Sequence, residues 1–125
     1  MKQLLRSILT SLMLGAVASQ AQSQPAKSTE TFASFWTQFK AAVGRNDKEA
    51  VASMTRFPFY LEEQLTRDEF IKKYRHIFNR RIQRCFAKEK PVKDRQSYSV
   101  FCGNEIYAFE KVDGKYKFTE IGAND

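Results

Sequence analysis

The chain has 125 residues, two cysteines, and 21 Lys and Arg against 14 Asp and Glu, a net charge of +7. That length holds one small hydrophobic core and excludes a second domain. With one histidine and two cysteines the chain lacks a ligand set at zinc spacing. It also has no Gly-rich phosphate loop, and any Ser-His-Asp or Cys-His triad would have to recruit His76.

In chain order, Lys2 and Arg6 make a positive start and residues 8–17 form a short apolar run. Ala16-Val17-Ala18 and Ser19-Gln20-Ala21 each offer a small-residue exit. This is the layout of a secretory signal peptide, since a permanent membrane span needs about 20 apolar residues. The expected product is exported and soluble, periplasmic or secreted, with no transmembrane segment. The chain then divides into a signal peptide at 1–21, a polar leader at 22–28 containing Pro25, and one domain at 29–125. Loss of Lys2 and Arg6 lowers the charge from +7 to +5.

Ser28 or Thr29 is the expected cap of a first helix. Phe32, Phe35, Trp36, Phe39 and Val43 then fall in one stripe about 100° wide, the mark of a helix laid on a core, and Gly44 ends it. A second, short helix carrying Ala50, Val51 and Met54 is expected to begin at Asn46 or Asp47, Asn46 with Glu49 having the form of a capping box. Pro58 disfavours helical geometry at Phe57, so residues 57–60 read as a short edge strand. Thr66 and Glu69 form the clearest capping box, opening a helix to about Asn79 with Phe70, Ile71, Tyr74, Ile77 and Phe78 on one face. Ile82, Cys85 and Phe86 imply one further helical turn, and residues 88–96 a charged connector. Residues 97–102, 105–111 and 115–121 are rich in Tyr, Phe, Val and Ile, separated by Gly103-Asn104 and Asp113-Gly114. These dipeptides predict a three-stranded antiparallel meander. Helices first and strands last give an α+β fold class, N-terminal helices packed on a curved antiparallel sheet that ends in the meander.

All 11 Phe, all 5 Tyr and the single Trp follow residue 21, so the core is expected to be aromatic. In an exported chain, Cys85 and Cys102 are expected to pair in a disulfide. Ten basic residues between positions 72 and 95 stand against Glu89 and Asp94, which concentrates +8 in that segment. Arg80, Arg81, Arg84 and Lys88 form its candidate anionic-partner face, arginine being able to grip carboxylate or phosphate in a bidentate fork. An acidic protein or an anionic envelope component is the matching partner. The secretion signal argues against nucleic acid, and Tyr74, Phe78 and Phe86 sit at core spacing where they cannot stack on bases.

Catalytic signals are sparse. His76 points away from the apolar face of its helix, among Lys72 and Lys73, and reads as solvated. Helix capping accounts for Asp68 and Glu69, and Glu62 and Glu63 read as water-facing. Glu110 lies within a strand, where it either lines a cavity with a raised pKa or pairs across the sheet with a lysine. Trp36, Tyr60, Tyr98, Glu110 and Tyr116 are the candidate wall of a pocket for a small apolar ligand. No catalytic residue, metal or cofactor is assigned.

The order of aromatic helix, short helix, Phe57-Pro58-Phe59, capped helix and a meander ending in FEKVDGKYKFTEI resembles small exported bacterial proteins of the nuclear transport factor 2-like superfamily. The resemblance spans residues 29–121, with VDGKYKF its most specific piece. It implies a cone of curved sheet and helices and, for the superfamily's enzymes, Asp, His or Tyr acid–base groups inside that cone. The solvated His76 departs from that pattern. The expected function is a non-enzymatic exported binding or interaction domain. The alternatives are a cone-shaped enzyme with a Tyr/Glu centre, and an inhibitor or immunity-type protein acting through its basic face.

Overall fold

Thr31 caps the first described helix, its hydroxyl oxygen accepting from the Ser34 amide at 3.1 Å. In the computed structural model, which describes Gly15 and residues 30–124, helix α1 (Phe32–Gly44) follows directly. The expected signal peptide, leader and Ser28 or Thr29 cap lie outside the described residues. Helix α2 (Lys48–Ser53) is capped by Asp47, whose Oδ1 accepts from the Ala50 amide at 3.1 Å. Asn46 is therefore not the cap: it sits at φ 55, a left-handed geometry that Asn tolerates better than most residues. Its side chain is then free to reach elsewhere.

Six strands follow or intervene: β1 (Thr55–Leu61), β2 (Glu63–Leu65), β3 (Val92–Asp94), β4 (Ser97–Cys102), β5 (Glu105–Val112) and β6 (Lys115–Ala123). They form one sheet in the order β2-β1-β6-β5-β4-β3. The α+β class stands, and the meander β4-β5-β6 is antiparallel as expected. Strand β1 runs parallel to β6 and carries β2 on its outer side, so residues 57–60 are not at the sheet's edge. The Asp113-Gly114 turn uses φ 51 and 82, and Gly103 sits at φ 64, conformations these residue types adopt at low cost.

The helix over residues 67–79 breaks after one and a half turns. Helix α3 (Arg67–Lys72) keeps the Thr66–Glu69 capping box, Lys73 ends it, and α4 (Tyr74–Ile77) restarts as a single turn. The expected extra turn is a nine-residue helix, α5 (Arg80–Lys88), opened by Asn79 Oδ1 accepting from the Ile82 amide at 3.0 Å. Cys85 on α5 and Cys102 on β4 stand at disulfide distance, with Cα atoms 5.8 Å apart.

The buried residues of the five described helices pack into one core with Phe59, Val100, Tyr107, Phe109 and Phe118 of the sheet. Phe39 is the hub, fully buried, with its ring 5.1 Å from Phe109, 5.5 Å from Phe118 and 6.1 Å from Phe78 and Phe86. These are the tilted and edge-on spacings aromatic quadrupoles favour. One bulge tunes the sheet beneath them. Between the pairs Ala108↔Glu120 and Phe109↔Phe118 lies the extra residue Thr119, buried with its hydroxyl donating to the Ala108 carbonyl at 3.3 Å. The bulge keeps Phe118 and Ile121 both on the helix side.

Candidate functional site

Helix α5 presents two sides of opposite character. Ile82 and Phe86 are buried, while Arg80, Arg81, Arg84 and Lys88 are exposed. At 100° per residue those four cations share one outward sector about 100° wide. Arg81 alone among them forms an ion pair with a described residue, reaching Glu105 at 3.1 Å. The other oxygen of Glu105 accepts from the Tyr107 hydroxyl at 2.7 Å. Burial and this hydrogen bond to Glu105 push the Tyr107 phenol well above its ordinary range. Arg81, Glu105 and Tyr107 thus tie α5 to β5. Gly103 lets them close up, since a Cβ there would meet Arg81 Nη1 at 3.3 Å. Arg84 and Lys88 lie beyond this network, bordering a shallow cleft of about 250 Å³ beside the Cys85–Cys102 pair.

The other cations of residues 72–95 are spread over several surfaces. Lys73 pairs with Glu63 at 3.1 Å. Arg75 and Arg80 border a cleft between α2 and the α4–α5 turn. Lys88 and Lys90 join Lys40 at the rim of a groove of about 660 Å³ against α1. Arg95 lies near Glu110 at the far face of the sheet.

The five pocket candidates do not converge, because strand alternation divides them. Tyr98 stacks on Phe32 at 3.7 Å, Tyr116 meets both rings edge-on, and Trp36 lies 6.3 Å from Phe32. Trp36 and Tyr98 help to line the lysine-rimmed groove. Glu110 lies on the opposite face of the sheet, opposite Lys117, and accepts from the Thr119 hydroxyl at 3.2 Å. Tyr60 lies on that face too, 48% exposed and registered with Glu120. The pleat separates Glu110 from the buried aromatics, with Tyr107 and Phe109 facing the core instead.

His76 is exposed and borders a cleft of about 250 Å³ with Glu62, Glu105 and Tyr107. Glu105 there is already held by Arg81 and Tyr107. Glu62, Glu63, Asp68 and Glu69 are all exposed. Hydrogen bonds from the Thr66 backbone and side chain hold Glu69 below the usual carboxylate range, the expected effect of a capping box. Among the described residues no three His, Cys, Asp or Glu side chains cluster to hold a metal ion, and no helix is long and apolar enough to cross a membrane.

Sequence reading places Tyr74 in the core and stops there. It is 1% exposed, yet its hydroxyl has no hydrogen-bond partner among the described residues. Burial, with the Asp47 charge nearby, pushes this phenol up to about 12. Asn46 was read as a helix cap; its Oδ1 instead accepts from Gln83 Nε2 at 2.8 Å, joining the α1–α2 loop to α5. Compared with family models, curated proteins and solved structures, the chain matches none.

Proposed function

We propose that the protein is an exported, non-enzymatic interaction domain of the cell envelope, and that the outer face of α5 receives an acidic protein partner. The superfamily proposed for it is the nuclear transport factor 2-like one, which the order of helices and meander resembles. A filled interior supports binding over catalysis. The space under the helices is occupied by Phe35, Phe39, Phe59, Phe70, Phe78, Phe86, Phe109 and Phe118, all fully buried, so the clefts that exist lie at the surface. Export is supported by the signal-like N-terminus and by a cysteine pair suited to an oxidising compartment.

The observation that carries the reading is the imbalance on α5. Arg84 and Lys88 are exposed and form no ion pair with any described residue, beside an Arg81 already paired with Glu105. Unpaired cations on a rigid helix steer an acidic surface and raise its association rate. Arginine also predominates over lysine at protein interfaces.

The test starts from protein recovered from the cell envelope, whose intact mass should place its first residue between Ser19 and Gln22. This protein should bind polyglutamate at low salt and release it as ionic strength rises. The double variant Arg84→Glu with Lys88→Glu, which spares the Arg81–Glu105–Tyr107 network, should weaken that binding at least tenfold. Undiminished binding by the double variant overturns the role of α5. Retention on phosphatidylglycerol vesicles with no response to polyglutamate would make the partner a lipid surface instead.

A further inference from the structure

We propose that the cleft between α2 and the α4–α5 turn is a binding site for a small polyhydroxylated acid, such as a sugar acid or sugar phosphate. The site is distinct from the outer face of α5 formed by Arg84 and Lys88, and it stands or falls separately from the acidic-partner reading.

The cleft holds about 520 Å³ and is bordered by Asn46, Lys48, Tyr74, Arg75, Arg80 and Gln83 among others. That volume suits a small molecule. Lys48, Arg75 and Arg80 come from three different helices, and none forms an ion pair with a described residue. Among the described residues these three cations border the cleft and no carboxylate does, so an anion is the complementary ligand. The N-terminus of α5, nine residues long, opens onto the same space and adds its positive end.

Tyr74 supplies the second, independent observation. A buried hydroxyl without a partner costs about 1–3 kcal/mol, and such groups are rare in folded proteins. Tyr74 nevertheless borders this cleft, its hydroxyl closed off from solvent and unpaired among the described residues. The charge its phenol senses is that of Asp47, the residue between Asn46 and Lys48. Asp47 itself does not compete for a ligand. Its Oδ1 caps the Ala50 amide and its Oδ2 accepts from Arg45 Nε at 3.3 Å.

The unspent hydrogen-bonding groups define the ligand class. Gln83 Nε2 is committed to Asn46 Oδ1 and to the Phe78 carbonyl at 2.8 and 3.1 Å. That leaves the Asn46 amide nitrogen as a donor and Gln83 Oε1 as an acceptor. A simple anion would satisfy the cations and the Asn46 donor, yet leave Gln83 Oε1 unmatched. A hydroxyl on the same molecule matches it. The shared chemistry is therefore an acid group plus neighbouring hydroxyls, with carboxylate and phosphate as its two sources.

The experiment is an NMR titration of the 15N-labelled protein with glucuronate, glucose 6-phosphate, glucose and acetate. At least one of the two hydroxylated acids should give saturable shifts at the Asn46 and Gln83 side-chain amides and the Tyr74 backbone amide. Glucose and acetate should bind at least tenfold more weakly, and the tighter of the two acids tells carboxylate from phosphate. Arg75→Gln and Arg80→Gln should each weaken that acid at least fivefold, with Arg95→Gln unchanged. Both arginines at the cleft are exposed, so neither variant disturbs the core. The proposal is overturned if neither acid saturates, if acetate gives equal shifts, or if Arg75→Gln binds as the parent does.

Discussion

The two sides of the helical layer obey different physics. Around Phe39 every neighbour is fixed by packing: Phe109, Phe118, Phe78 and Phe86 surround a ring that no solvent reaches. On the outer side of α5, two residues either side of Phe86, Arg84 and Lys88 form no ion pair with a described residue. The interior stabilises the fold through buried area and shape. The exterior contributes little to stability, since long cations on a helix face are readily solvated, and so it is free to serve recognition. The two functions of the sequence are thus separated by the thickness of one helix.

The largest effect that would break this comparison is loss of the hub. Phe39→Ala removes a buried ring at the meeting point of α1, α5, β5 and β6, and should cost about 3–5 kcal/mol in urea unfolding. Arg84→Ala, measured alongside, should stay within about 0.5 kcal/mol of the parent. Comparable losses for both would mean that the basic face is structural, and the separation would collapse.

The disulfide comes next in size because it fastens the two sides together, α5 to β4. It closes a loop with a sequence separation of 17, worth about 3 kcal/mol in the chain-entropy account. Replacing Cys85 and Cys102 together by Ser should lower stability by about that amount. Thiol titration of the denatured, unreduced parent should find no free cysteine. Two titratable thiols would leave α5 held by packing, by Arg81 and by the Gln83–Asn46 hydrogen bond.

Much of this architecture is legible from side-chain pattern where the pattern reports burial. The α1 stripe from Phe32 to Val43, the Thr66–Glu69 box and the two meander turns all carry their structure in local chemistry. Strand β3 does not: Val92, Lys93 and Asp94 are all exposed, and only backbone pairing with β4 makes them a strand. The break at Lys73 is likewise invisible, because α3 and α4 keep one apolar face across it, with Phe70, Tyr74 and Ile77 all buried. The scatter of the pocket candidates has the same origin. Which face Tyr60 occupies depends on parallel register with β6, a long-range choice that no local spacing encodes. At the α2–α5 cleft, Tyr74 reads as one more core aromatic. What marks it out is a missing partner, and a sequence does not list partners.

Tyr74 is also where the comparison sharpens, being buried like Phe39 and unpaired like Arg84. Burial raises its phenol from 10.0 to about 12. A folded-state pKa above the unfolded one means that the fold favours the protonated form. Its stability contribution is intact below pH 10 and is lost as pH rises toward 12. Tyr107 titrates in the same direction, so the parent should weaken in alkali through both residues, and the Tyr74 share must be isolated by difference. Tyr74→Phe should match or slightly exceed the parent at pH 8, because the hydroxyl it removes has no partner among the described residues. At pH 11 the variant should gain a further increment of about 1 kcal/mol over the parent, since a phenylalanine has nothing to ionise. Urea midpoints for the pair at the two pH values measure it directly. A difference that does not change with pH would show that the Tyr74 hydroxyl titrates in the fold as it does in the unfolded chain, in contact with water rather than buried.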